Sequence, residues 1–227
     1  MIFAVLGLIV AAIIFLPGQW VKFVMARHSG ERPDIAGTGG ELAEHLLQAA
    51  DLAHVTVETT EQGDHYDPED KAVRLSEANF TGRSLTAVAI AAHEVSHALQ
   101  DAHGYAPLKA RTGMAGTVHT IQRIGSVVLM ATPLVGILTR VPHIMALEVL
   151  VGLALIGSSV VMHAVTLPVE FDASFKRALP ILDKGNYIDK DDLPAAREVL
   201  RAAALTYVAA ALMDLLNIAR WLRILRF

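Results

Sequence analysis

Apolar and polar positions divide the chain into oily and mixed stretches, and each kind predicts a different element. Met1 to Leu16 is unbroken apolar sequence closed by Pro17-Gly18, with Trp20 and Lys22 at the expected interface. It has no basic leader and no small-residue cleavage site, so 1–20 reads as an uncleaved anchor, somewhat short for a full span. From Val21 to about Arg123 the pattern is mixed. Gly37, Gly39 and Gly40 lead into a predicted helix from Glu41 to Ala53, and His54–Glu58 and Lys71–Ser76 alternate like strands on either side of the turn-like Asp67-Pro68-Glu69-Asp70. Ser84 can cap a further helix and Gly104 can end it. Between them Leu85 to Ala92 is small and apolar on every side, which predicts a buried helix over 84–103.

Downstream, Ile124–Leu138 and Ile144–Leu167 are apolar runs joined by Arg140-Val141-Pro142-His143 and predict a transmembrane hairpin over 124–168, with Pro133 tolerated as a kink. Glu148 lies near a helix end, and His163 reads as a hydrogen-bonded packing residue. Residues 169–201 are charged again. Ala202–Met213 opens a last apolar helix over 202–227, short enough either to cross with Arg201 and Arg220 snorkelling or to pack without crossing. The expected class is a mainly α membrane protein, with transmembrane helices and a small α+β portion over 21–123.

Composition agrees and narrows the partners. At 227 residues, 53% hydrophobic with mean hydropathy +0.44 is too oily for a water-soluble globule, so a lipid bilayer is expected around part of the chain. A net charge of −4, with no Lys/Arg run, no nucleic-acid motif and no repeat, shows no basic excess for nucleic acid, so lipids and polypeptides are the expected partners. With no cysteine, any metal ligands must be His, Asp or Glu.

The chemistry sits in the buried helix. His93 and His97 are one helical turn apart and so share a face, while Glu94, about 100° further round, can reach a water on the open position of a metal held by both histidines. Surface histidines are the ordinary explanation of such a pattern. The apolar run before it argues against them, because unpartnered ionisable groups in that setting are costly.

Other phrases then become informative: Asp64-His65-Tyr66-Asp67-Pro68, Arg74-Leu75-Ser76-Glu77, Ala98-Leu99-Gln100 after the motif, Thr166 to Ser174, and Ala203 to Ala209. In this order, from about residue 30 to about 215, they resemble the neutral zinc metallopeptidases of bacterial membranes, the YugP-like group. Ser96 stands where that family has glycine. The resemblance implies a zincin-like portion, Zn2+ as cofactor, peptidase chemistry on a polypeptide substrate and a membrane location, with no oligomeric state attached. In zincins an extended substrate lies along a sheet edge beside the motif helix, and the Lys71–Ser76 strand is placed to be that edge or one arm of a plain hairpin.

Two candidates could supply a third ligand. His103 has the spacing of metzincins, but Gln100 occupies the slot where their chain turns on glycine, and on a continuing helix His103 points some 120° away from His97. Glu170, at the mouth of the hairpin, resembles the downstream glutamate of gluzincins and is the expected ligand. The supporting aspartate of that pattern is Ser174 here, so Asp172 or Ser174 is the expected support. The expected general base is Glu94; His65, Tyr66 and Tyr207 are candidate oxyanion or substrate contacts. The rival readings are a structural or sensory metal site without catalysis, and a transporter resting on Glu148 and His163. Nine Lys/Arg lie between Val21 and Arg123 and six between Val169 and Arg201, against Arg140 in the hairpin turn, which predicts a site on the cytoplasmic face of the bacterial plasma membrane.

Overall fold

The computed structural model describes residues 2–139 and 141–224 and is mostly helical. Its contacts gather into two compact units, one of residues 17–109 with 167–206, the other of 1–16, 110–166 and 207–227.

The first unit holds the last turns of α1 (Ile2–Arg27), then α2 (Gly39–Ala49), three short strands, α3 (Glu77–Thr81) and α4 (Leu85–Ala102). After Leu167 it continues with the end of α6 (Pro142–Phe171), a π-helical segment Asp172–Ala178, α7 (Leu179–Lys184) and the start of α8 (Leu193–Ile224). α2 starts in a capping box: Thr38 Oγ1 accepts the Glu41 amide, and the Glu41 carboxylate accepts the Thr38 amide. α4 begins at Ser84, whose Oγ accepts the Ala87 amide, and closes at Gly104 with φ +64, a conformation open to glycine without strain. The small residues of α4 serve close approach. A Cβ on Gly39 would overlap the carbonyl oxygens of Asn79 and Ala87.

The strands β1 (Thr56–Thr59), β2 (His65–Asp67) and β3 (Ala72–Leu75) form a sheet in the order β1-β3-β2, with β1 parallel and β2 antiparallel to β3. This corrects two expectations. The strand upstream of Ser84 is the central one, its backbone engaged on both sides, so it is not a free edge; it is one arm of a hairpin with β2, while the 54–58 stretch pairs with it in parallel. The reason is residues 65–67, to which the alternating pattern assigned no element and which form the third strand. Val73 and Leu75 face a core shared with Leu47, Val88, Val95, Leu182 and Leu200, all nearly inaccessible to water.

The second unit is made of apolar helices: most of α5 (Ala106–Thr139), α6 as far as Thr166, and the outer parts of α1 and α8. Its surface carries large apolar side chains. Leu8, Met130, Ile137 and Leu138 are each more than 70% exposed, the distribution expected where lipid rather than water is the solvent. Among the described residues three helical stretches are long and apolar enough to cross a membrane, Leu8–Arg27, Ala146–Lys184 and Lys190–Leu216. The last helix is therefore long enough to span. Within α6, Gly152 admits the side chain of Leu129 from α5, where a Cβ would collide. Arg140 and Arg226 lie outside the described residues.

Candidate metal centre

α4 presents His93 and His97 on one face, with ring centroids 4.7 Å apart. Onto that face comes Glu170. Its Oε2 lies 3.1 Å from His93 Nε2 and 3.4 Å from His97 Nε2, and one ligand atom from each of the three residues falls within 4.8 Å of the others. All three side chains are buried, Glu170 at 2% exposure.

The far side of each imidazole shows that Nδ1 is a donor. Ser174 Oγ donates to the Leu200 carbonyl at 3.0 Å, so toward His93 Nδ1, 3.1 Å away, it accepts. Gln100 Nε2 donates both to the Val169 carbonyl and to Asp172 Oδ2, each at 2.9 Å, which leaves its Oε1 to accept from His97 Nδ1 at 2.9 Å. Both histidines therefore hold hydrogen on Nδ1, and as neutral rings they turn the Nε2 lone pair toward a carboxylate. Two lone pairs facing an anion in a dry pocket is an arrangement that a cation among them resolves, and two imidazoles with one carboxylate form a donor set that zinc takes in catalytic sites.

The segment that delivers these groups is locally unusual. Pro168 lies inside α6 and has no amide to give the preceding turn. Within a turn of it the helix widens over Asp172–Ala178, where the Leu179 amide donates to the Ser174 carbonyl five residues back. An α-helix would set Asp172 about 200° from Glu170. Here Glu170, Asp172 and Ser174 all meet residues of α4. Asp172 also accepts from Arg177 Nε at 2.8 Å.

The other sequence candidates have the following surroundings. Glu94 is buried in α4 at 6% exposure, beside His93 in sequence. His103 caps the end of α4, exposed, with its Nδ1 3.4 Å from Arg177 Nη1. Tyr66, on β2, donates its hydroxyl to Asp101 Oδ2 at 2.7 Å, and burial, then that carboxylate, raise its pKa well above the usual phenol range. His65 Nδ1 contacts the Gly63 carbonyl at 2.8 Å. Asp64 caps Ser76 and accepts from Asn79, and Asp67 holds Arg74, so the acidic residues of that phrase have structural work. Tyr207 belongs to the apolar unit, where its hydroxyl accepts from Arg111 at 2.8 Å. A second acidic group, Asp34, Asp189 and Asp192, is more exposed, and Arg32 already bonds Asp34 and Asp192.

Gln100 and Arg177 are the residues that sequence reasoning passed over. Gln100 entered only as evidence against a metzincin turn. Its signal was available: a long polar side chain three residues after His97, on the same face of a helix otherwise predicted to be buried.

Comparison with known proteins gives the family. Residues 2–226 match the profile of the family described as "Putative neutral zinc metallopeptidase". The chain is 35% identical over 206 residues to a protein of Bacillus subtilis (strain 168) named "Putative membrane protease YugP", covering 90% of this chain and 88% of that one. No solved structure matches.

Proposed function

The chain belongs to the neutral zinc metallopeptidase family, and from that premise we propose that it is a membrane-associated zinc endopeptidase. Its ligands are His93, His97 and Glu170, and its general base is Glu94. The observation that carries this reading is the convergence of both Nε2 atoms on the Glu170 carboxylate, with both Nδ1 atoms already engaged. When bound, the zinc ion supplies Lewis acidity toward the scissile carbonyl and the attacking water. Glu94 takes the proton of that water and returns it to the leaving amine, so no covalent intermediate is needed. Burial of Glu94 favours such a shuttle by keeping competing water away from the carboxylate. Among the described residues the ligand group has three members, which leaves the open position of a catalytic site; a structural site would be closed by a fourth.

The site also constrains topology. Residues 93–97 and 170 meet within one unit, so if α6 crosses the bilayer, α5 must cross as well to return the chain to the same face. The Lys/Arg asymmetry favours the cytoplasm for that face, with Arg220, Arg223 and Arg226 counting against it where the last helix crosses. Because the chain has no cysteine, single Arg140→Cys and Lys184→Cys variants report orientation directly. Labelling of the first and protection of the second from outside the cell are expected; the reverse would refute the orientation.

The deciding experiment uses the full chain purified in detergent. Glu94→Gln is expected to retain zinc while peptide hydrolysis falls by about 10²–10⁴-fold, the range for a lost general base. Full activity in that variant would overturn the assignment. So would undiminished zinc in both His93→Ala and His97→Ala.

A further inference from the structure

We propose that Gln100 is a positioning residue for the metal centre: it fixes His97 in the tautomer and ring orientation that turn Nε2 inward. The inference rests on the ligand assignment above and goes beyond it. Gln100 is fully buried, on the same helix as His97, and its amide has four hydrogen-bonding capacities, of which three are engaged by named partners.

The two acceptors at its nitrogen decide the matter. Val169 O and Asp172 Oδ2 each lie 2.9 Å from Nε2, so rotating the amide by half a turn would set its oxygen against a carbonyl and a carboxylate. The amide therefore has one orientation, and in it the oxygen faces His97 Nδ1 at 2.9 Å. Asp172 is held in turn by Arg177 Nε at 2.8 Å, with Lys176 near its other oxygen. Val169 directly precedes Glu170. The same amide thus ties the segment carrying the third ligand to the helix carrying the first two. His93 is oriented separately, by Ser174 and the Leu200 carbonyl.

The test separates orientation from mere packing. Zinc affinity is measured by chelator competition on the detergent-solubilised full chain, together with the visible absorption of the Co2+-loaded protein. Gln100→Met fills the same space with neither donor nor acceptor, whereas Gln100→Glu keeps an acceptor for Nδ1 but sets a carboxyl group against Asp172. A packing role ranks methionine as the milder change. The orientation role ranks glutamate milder for metal binding: zinc Kd is expected to rise about 10- to 100-fold in Gln100→Met, with a shifted Co2+ spectrum, and several-fold less in Gln100→Glu. Leu47→Ala, a core cavity in α2, is the control for general destabilisation, expected to lower thermal stability while leaving zinc Kd within about twofold. Zinc affinity and Co2+ spectrum unchanged in Gln100→Met, or methionine binding zinc better than glutamate, would overturn the proposal. His97→Ala distinguishes the two possible failures. If it still binds zinc like the wild type, the ligand assignment is wrong; if it loses zinc while Gln100→Met does not, only the role of Gln100 is.

Discussion

Both units contain a histidine beside a carboxylate, and the two pairs differ in what surrounds them. In the apolar unit His163 Nε2 lies 3.2 Å from Asp214, while its Nδ1 is buried with no hydrogen-bond partner. In the other unit His93 and His97 approach Glu170 at similar distances, but each ring has its second nitrogen tied to a buried group that is itself anchored. A contact between histidine and carboxylate is thus not a metal site. What distinguishes the α4 centre is convergence of two lone pairs on one anion, and a second layer of hydrogen bonds that leaves the rings no other orientation. His163 with Asp214 reads instead as a polar clasp between α6 and α8, which suits helices that have little hydrophobic reason to associate in lipid.

Breaking the two pairs gives the largest expected contrast. Glu170→Ala should weaken zinc binding steeply, since the proposed three-ligand site would keep only two ligands, whereas Asp214→Ala should leave zinc affinity unchanged. Chelator competition on both purified variants checks this, and equal losses would erase the distinction between the sites. Next in size is Ser174→Ala, which removes the acceptor for His93 Nδ1: zinc Kd should rise about 10-fold, with the thermal midpoint of the metal-free protein little changed.

The smaller effects concern stability. His163→Phe removes the clasp but keeps a ring, and should cost no more than about 1–2 kcal/mol in detergent unfolding, without effect on zinc. The smallest is a pH effect at Asp101. Burial alone would raise its pKa, but the hydrogen-bonding Lys71 ammonium and Tyr66 hydroxyl outweigh it and hold the carboxyl below its ordinary value. A depressed carboxylate contributes stability that is complete above the unfolded pKa, near 4, and is lost as pH falls through the folded value. Asp101→Asn should therefore cost about 1 kcal/mol at pH 7 and flatten the acid limb of the unfolding profile below about pH 4. An unchanged acid limb would show that this carboxylate does not set it.

Much was legible in the chain because it depends on neighbours in sequence. Ser84 and Gly104 bound α4 since capping and a left-handed glycine are local devices, and the apolar stretches of α1 and α6 are set by composition alone. The spacing of His93 and His97 implies their shared face for the same reason, as four residues of helix allow little else. Glu170 could be proposed as a ligand from its likeness to gluzincins, yet its approach to within 3.4 Å of both imidazoles needed the chain to come back across 73 residues after His97. Only the tertiary structure decided the rest. Residues 65–67 form a local hairpin with β3 across the turn-like 67–70 stretch; the parallel pairing of β1 with β3, which needs a crossover rather than a tight turn, is what the alternating pattern does not reveal. The widened helix after Pro168 and the fixed amide of Gln100 depend on what α4 presents to the returning segment. Hydrogen-bond partners distant in sequence, rather than the preference of any residue, determine which nitrogen of each histidine is left bare.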